Sequence, residues 1–202
     1  MSKLLFSTIE VTRQAFYRTA HAYAIVNLKP IVPGHVLVIP TRVVPRLADL
    51  SPAEVAALFT SVQHVGRVVE RVYGADSLTI ACQDGKAAGQ SVPHVHVHVL
   101  PRKAPGKGDT FEKNNDEVYP ALEDAEHKLP SHLRSVEQET VLSKTSAEAE
   151  AKAGEDRVNR LKVDADDARP PRTLEDMIKE ADWLRGFFES EGQESVGVDS
   201  TS

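Results

Sequence analysis

The chain has 202 residues, of which 41% are hydrophobic, and this suffices for one domain of ordinary size and an appendage. A formal net charge of -6 gives no general attraction to nucleic acid, because phosphate backbones bind basic surfaces. The only cysteine, Cys82, excludes an intramolecular disulfide framework, and no apolar run reaches the roughly 18 residues of a membrane span. We therefore expect no nucleic-acid or membrane partner, and a location in the cytoplasm with the nucleus as an alternative.

Two apolar runs in the first third of the chain predict antiparallel strands. They are AYAIVN (22–27) and HVLVIP (35–40). The segment LKPIVPG between them contains two prolines and Gly34, residues that favour a turn. A third apolar run, SLTIACQ (77–83), predicts a further strand and leads into a loop rich in glycine and glutamine.

A long helix is predicted between the second and third of these strands. Ser51 can cap its N-terminus, Pro52 suits the first helical position, and Glu54 completes a capping box. Apolar residues then recur at helical spacing as far as Gly74, a residue type common where helices end. These apolar residues are Val55, Leu58, Phe59, Val62, Val65 and Val69.

Three histidines occupy alternate positions in the segment SVPHVHVHVLPR (91–102). The valines between them favour a strand, whose side chains alternate between two faces. We therefore expect one face of histidines and one apolar face suited to a core. The two sets are His94, His96 and His98 on one side, and Val95, Val97 and Val99 on the other.

The composition changes after this strand. Residues 130–172 mix charges of both signs with small side chains, and cannot bury enough apolar surface to offset the entropy of ordering, which predicts a disordered insertion. Order is expected to return at Thr173, which can cap a helix whose apolar stripe must pack on the domain. The stripe consists of Leu174, Met177, Ile178, Ala181, Leu184 and Phe188. The predicted parts are a domain over 1–129, the insertion over 130–172, a helix over 173–190 and a flexible tail over 191–202.

Two interpretations of the histidines, solvent-facing positions and a metal site, are weaker than a role in catalysis by an imidazole. Solvent-facing strand positions ordinarily carry Thr, Lys or Glu, so three histidines in series on one face point to a function. A metal site is open, since imidazole is the commonest metal ligand and zinc sites with three histidines exist. A catalytic zinc also needs a nearby carboxylate, however, and the loop before the strand offers only Asp84.

Attack on phosphorus by an imidazole suits the neighbouring residues best. Gly85 and Gly89 allow a backbone to approach a ligand closely, and Gln83, Gln90 and Ser91 supply neutral hydrogen-bond donors. No GxxxxGK[ST] motif is present, so the loop is not a P-loop. A histidine with an ordinary pKa is mostly neutral at pH 7 and therefore nucleophilic.

The segment HVHVHVLPR matches the histidine-triad signature, His-φ-His-φ-His-φ-φ with φ apolar. With VNLKPIVPGHVLVIPTRVVPRLADLSPAEVAALF and SLTIACQDGKAAGQSVPHVHVHVLPRK, the chain resembles the fragile-histidine-triad branch, the dinucleoside polyphosphate hydrolases. The resemblance is nearly collinear as far as Tyr119 and returns at Thr173. His98 separates it from the galactose-1-phosphate uridylyltransferase branch, which usually has glutamine at that position. The resemblance implies an α+β fold, an antiparallel sheet with one long helix after the first strands and a C-terminal helix, in a homodimer.

The resemblance also implies roles for individual residues. His96 is the nucleophile, which attacks the α-phosphorus and forms a nucleotidyl-histidine that water hydrolyses. His98 contacts the phosphate, His94 orients the triad, and His35 is a fourth histidine beside the site. The implied substrate-binding residues are Asn27 at the ribose, with Gln83, Gly89, Gln90, Ser91, Val92 and His98 at the phosphate.

The expected activity is therefore hydrolysis of dinucleoside polyphosphates such as diadenosine triphosphate. We expect no tightly bound cofactor and no metal ligands, with Mg²⁺ or Mn²⁺ accompanying the substrate. The alternatives are a nucleoside phosphoramidase, a nucleotide-binding signalling module, and an interaction protein that works through residues 131–172.

The remaining histidines, Cys82, Arg102 and Lys103 are expected to have no role in the reaction. Surface positions are predicted for four histidines that have no chemical neighbours in the sequence, and solvated positions for Arg102 and Lys103. Cys82 is predicted to be an inert buried thiol. The four histidines are His21, His64, His127 and His132.

Overall fold

A computed structural model describes residues 2–127, 129–130 and 172–194, with side chains as far as 189. Its centre is a five-stranded antiparallel sheet of order β3-β4-β5-β7-β6, next to a small sheet of β1 and β2. The strands are β1 (Leu5–Phe6), β2 (Ile9–Glu10), β3 (Ala15–Arg18), β4 (Ala22–Val26), β5 (Val36–Pro40), β6 (Ser77–Ala81) and β7 (Val97–Arg102). The helices are α1 (Pro52–Tyr73), α2 (118–127) and α3 (Leu174–Glu194). The predicted α+β class is confirmed.

The predicted antiparallel pair is β4 and β5. Ala22 lies opposite Pro40 and Val26 opposite Val36, so the connecting segment turns the chain as its prolines and glycine suggest. Every residue of β4, β5 and β7 is buried, which means that both faces of the sheet are covered at its centre. The hydrophobic core therefore covers both faces of these three strands, and β7 is the one that includes part of the histidine segment.

The local signals for α1 are all present in the structure. Ser51 Oγ accepts the N–H of Glu54 at 3.3 Å, and Glu54 Oε2 accepts the N–H of Ser51 at 2.8 Å. Gly74 ends the helix in the left-handed conformation, with φ of 61°. The predicted buried stripe is wrong at Phe59, which is 43% exposed because it lies one residue, or about 100°, around the helix from the buried Leu58.

The histidine segment differs from the predicted strand in two respects. β7 begins only at Val97, because the preceding residues leave the ladder: His94 N–H bonds to Val92 O and Val95 N–H to Val44 O. Second, the histidines are buried as deeply as the valines, a property that the alternation of faces does not predict.

α3 packs on β3 and β4 through the predicted stripe, whose Met177, Ala181 and Leu184 are fully buried. Thr173 Oγ1 caps the helix by accepting the N–H of Asp176 at 3.2 Å. His64 is half-buried against the ring of Phe188, so its predicted surface position is wrong. His21 and His127 are exposed as predicted, whereas His132 lies outside the described residues.

The predicted insertion, except for its ends, and most of the predicted tail also lie outside the described residues. Within the ranges that the structure describes, no helix combines the length and the low polarity that are needed to span a membrane.

Candidate active site

His94 is held in place by main-chain groups on both of its ring nitrogens. Nδ1 accepts the N–H of Ser7 at 3.0 Å, and Nε2 lies 2.9 Å from the carbonyl oxygen of Pro40. A carbonyl oxygen only accepts, so His94 carries its proton on Nε2. Burial lowers the pKa of His94 to about 4 and keeps the ring neutral. These contacts favour a role in orienting the triad, because neither nitrogen is free to bind a substrate.

His96 has one nitrogen anchored to the backbone and one directed at the site. Nδ1 lies 2.8 Å from the carbonyl oxygen of His94 and therefore donates to it. The ring packs edge-on against Phe6, with ring centres 5.2 Å apart. Nε2 is the only nitrogen left for chemistry, and it lies 3.2 Å from a carboxylate oxygen of Glu126.

A chain of hydrogen bonds determines where His98 carries its proton. Nδ1 of His35 faces the N–H of Ile31 at 3.4 Å and therefore accepts, because a backbone N–H only donates. The side-chain nitrogen of Asn27 lies near both ring nitrogens, at 3.0 Å from Nδ1 and 3.2 Å from Nε2. The proton of His35 is then on Nε2, which donates to Nδ1 of His98 over 2.9 Å. His98 must carry its own proton on Nε2, which is buried and has no hydrogen-bond partner among the described residues. The chain leaves an unused N–H donor inside the site.

Burial keeps this donor neutral. It lowers the pKa of His35 to about 3 and that of His98 well below its usual value, and the neighbouring imidazole of His96 lowers both further. A neutral donor can hydrogen-bond a phosphate oxygen without the strong attraction that a cation would exert on the product.

Glu126 is the site residue that the sequence prediction missed. It is 1% exposed, lies on α2, and its carboxylate contacts Ser91, His96 and His98. Burial pushes the pKa of this carboxyl up, but the hydrogen bond and charge of His96 and the bonds from Ser91 outweigh it and lower the pKa. The available signal was an acid on the apolar stripe of a helical segment, four residues after the buried Leu122.

Gln83 and Gly89 come together in the loop between β6 and β7. The β6–β7 ladder pairs Ala81 with His98, and the loop that contains Gln83 begins directly after this pair. Oε1 of Gln83 is buried and makes no hydrogen bond within the described part of the chain. Gly89 has φ of +89°, and a Cβ there would lie 2.7 Å from Nε2 of Gln83. The glycine therefore leaves room for the amide.

Gln90 does not present its side chain to the site. Its Oε1 accepts the N–H of Gly85 at 3.0 Å, and its Nε2 donates to Pro45 O at 2.9 Å. In this structure the amide braces the loop, and its expected contact with a phosphate stays a prediction. Val92 packs in the hydrophobic core and is 5% exposed. Asn27 is also buried, beneath His35.

Among the described residues, His96, His98 and Glu126 form a group that could hold a metal ion, with ligand atoms within 4.8 Å of one another. A metal requires a lone pair on each coordinating nitrogen. Nε2 of His98 instead carries the proton that the contacts of His35 and Ile31 assign to it. If His98 carried its proton on Nδ1 instead, Nε2 of His35 would have to accept and its Nδ1 would carry the proton. Two N–H donors, those of His35 and Ile31, would then face each other. The donor set therefore favours an anion at this position.

Three other side chains test the sequence predictions. Arg102 is 8% exposed and bound to Asp109 at 2.9 Å and Asn115 at 2.7 Å, so the predicted solvated position is wrong; Lys103 is exposed as predicted. Cys82 is partly buried, and burial followed by the nearby carboxylates raises the pKa of its thiol to about 11, in agreement with an unreactive cysteine.

The fold and the site define a class of protein: an α+β domain in which a buried imidazole, anchored at Nδ1, faces an anion position beside a neutral N–H donor. Residues 8–105 match the HIT domain model. The chain belongs to the histidine-triad (HIT) family, as its resemblance predicts.

Relatives match nearly the whole chain. Identity is 49% over 193 residues to the asymmetrical bis(5'-nucleosyl)-tetraphosphatase of Schizosaccharomyces pombe, covering 94% of this chain and 96% of that protein. It is 39% over 191 residues to a bis(5'-adenosyl)-triphosphatase of Saccharomyces cerevisiae, covering 92% of each. The crystal structure of a Plasmodium falciparum diadenosine triphosphate hydrolase matches with a TM-score of 0.51 and 29% identity, covering 63% of this chain and 84% of that chain.

Proposed function

We propose that this chain hydrolyses dinucleoside polyphosphates such as diadenosine triphosphate to a nucleoside monophosphate and the remaining nucleotide. The proposal depends on the orientation of His96. Its Nδ1 is anchored to the backbone carbonyl of His94, and its Nε2 faces an anionic group, the carboxylate of Glu126. Support comes from relatives at 49% and 39% identity, whose names state hydrolysis of dinucleoside tetraphosphates and triphosphates.

The reaction proceeds by two displacements at the α-phosphorus. Nε2 of His96 forms a bond to phosphorus as the bond to the bridging oxygen breaks, and the leaving nucleotide takes the electron pair. Water then attacks phosphorus, the N–P bond breaks, and free imidazole is restored. The neutral Nε2–H of His98 hydrogen-bonds a phosphate oxygen as negative charge develops. No tightly bound cofactor takes part, and a Mg²⁺ or Mn²⁺ ion arrives on the polyphosphate.

Rapid-quench incubation with α-labelled diadenosine triphosphate tests the nucleophile. We expect acid-labile label on the native protein, and none on His96→Ala together with a loss of turnover of about 10³-fold or more. His127→Ala is the matched control, because His127 is exposed. Undiminished hydrolysis by His96→Ala would refute the assignment. Parallel reactions with the tetraphosphate measure the preference for chain length.

We also propose that the active protein is a homodimer. β6 is an edge strand of the five-stranded sheet, and no described strand pairs with its outer side. Ile80 on this strand is 49% exposed, although apolar edges are usually covered because their free N–H and C=O groups pair with other strands. Light scattering should give twice the chain mass of 22.1 kDa; a monomer at assay concentrations would contradict the proposal.

A further inference from the structure

The Glu126 carboxylate lies among the polar groups of Ser91, His96 and His98. Its Oε1 accepts the N–H of Ser91 at 3.0 Å and lies 3.0 Å from the Ser91 hydroxyl, whose single proton it shares with the backbone carbonyl of Glu126. Its Oε2 lies 3.2 Å from Nε2 of His96 and 3.7 Å from Nε2 of His98. A carboxylate resembles a phosphate group in being an anion whose oxygens only accept hydrogen bonds. Glu126 therefore occupies a position where the surrounding groups would bind a phosphate.

The contact with Glu126 also leaves His96 unable to react. Nδ1 of His96 donates to a backbone carbonyl, so a hydrogen bond between Nε2 and the carboxylate requires a proton on Nε2. Attack on phosphorus requires the lone pair at that same atom. The Glu126 carboxylate and the α-phosphorus therefore compete for the same atom, Nε2 of His96.

We propose that Glu126 occupies the phosphate position in the free protein, and that substrate binding exchanges its carboxylate for the reacting phosphate. The inference rests on the proposed function, which places that phosphate at Nε2 of His96. Because two anions cannot share one set of donors, each substrate must displace Glu126, and the returning carboxylate promotes release of the product.

Helix α2 holds this competitor in place. Val118 and Leu122, on the same helix, are buried against Leu100 and Phe111. Ser91 Oγ also donates to the backbone carbonyl of Glu126 at 2.6 Å. The helix is thus attached to the domain independently of the carboxylate, so a neutral side chain at 126 can weaken the competition while α2 stays bound.

Titration with inorganic phosphate, followed by calorimetry on the full chain, tests the exchange without any turnover. Glu126→Gln keeps the shape of the side chain and removes its charge, and we expect it to bind phosphate about tenfold more tightly than the native protein. Glu123→Gln is the matched control, because Glu123 is exposed on the same helix and should leave the affinity unchanged. A merely structural role for Glu126 would weaken binding, so a gain in affinity discriminates between the two.

Glu126→Asp provides a second test if the neutral variant folds poorly. It keeps the charge but shortens the side chain, and it should bind phosphate with an affinity between those of the native protein and Glu126→Gln. Phosphate affinity that is unchanged or weaker in folded variants would overturn the exchange, even if the native protein hydrolyses its substrate. Tighter binding in an inactive native protein would instead support the exchange and refute the proposed hydrolysis.

Discussion

Replacing Gly89 with alanine should separate the stability of the phosphate loop from its function. Gly89 has φ of +89°, and a side chain in the left-handed region costs about 1–2 kcal/mol. The new Cβ would lie 2.7 Å from Nε2 of Gln83, so the amide must move. The end of a glutamine side chain can rotate to another rotamer, so we expect the backbone to account for most of the lost stability, about 1 kcal/mol.

The displaced amide should affect hydrolysis far more than stability. Loss of one well-placed neutral donor commonly lowers kcat by about 10²–10³-fold, so we expect kcat/KM of Gly89→Ala to fall about 10²-fold. Gly74→Ala is the matched control, because Gly74 has φ of +61° and its Cβ would meet nothing within 4 Å. This control should lose a similar free energy of unfolding and keep its activity.

Urea unfolding and initial rates with diadenosine triphosphate, measured on the native protein and both variants, provide the test. Full activity in Gly89→Ala would show that the Gln83 amide does not act on the reaction. Equal losses of activity in the two variants would show that activity follows stability, and would refute the argument from the contact with Gln83.

Two further predictions concern buried ionisable side chains. Acidification from pH 7.5 to 5 should lower the free energy of unfolding, measured in urea titrations, by up to about 6 kcal/mol, or about 2 kcal/mol for each of three histidines. The reason is that these histidines gain protons near pH 6.5 in the unfolded chain, whereas burial keeps their rings neutral in the native protein. The control variant His127→Asn, at an exposed position, should show the same pH difference. These histidines are His35, His94 and His98, and a flat profile would contradict their burial as neutral rings. Arg102→Met should cost about 3 kcal/mol in urea unfolding, since it leaves the Asp109 carboxylate buried without its cation, whereas Lys103→Met should cost little; equal costs would contradict the ion-pair argument.

Features set by a few neighbouring residues could be predicted from the sequence. The capping box of Ser51 and Glu54 and the left-handed end at Gly74 form within one helical turn, so their residue types suffice. The strands β4 and β5 likewise follow from short apolar runs and a turn. The histidine spacing identified the family because the triad is contiguous in the chain.

The environment of each histidine could not be predicted in this way. His94 is bound by Ser7, 87 residues away, and His96 by Glu126, 30 residues away. Alternation along a strand places histidines and valines on opposite faces, but it does not tell whether a second layer covers either face. The same limitation explains the errors at His64 and Arg102, which are covered by distant parts of the chain.

The sequence by itself determined the fold class, the family and the histidine expected to act as nucleophile, because these depend on local propensity and on contiguous motifs. Only the tertiary structure decided which nitrogen of each histidine carries the proton, since this depends on the acceptors and donors that distant segments bring to the ring. It also decided that Glu126 lies beside the triad, because hydrophobic packing of α2 brings that carboxylate to His96.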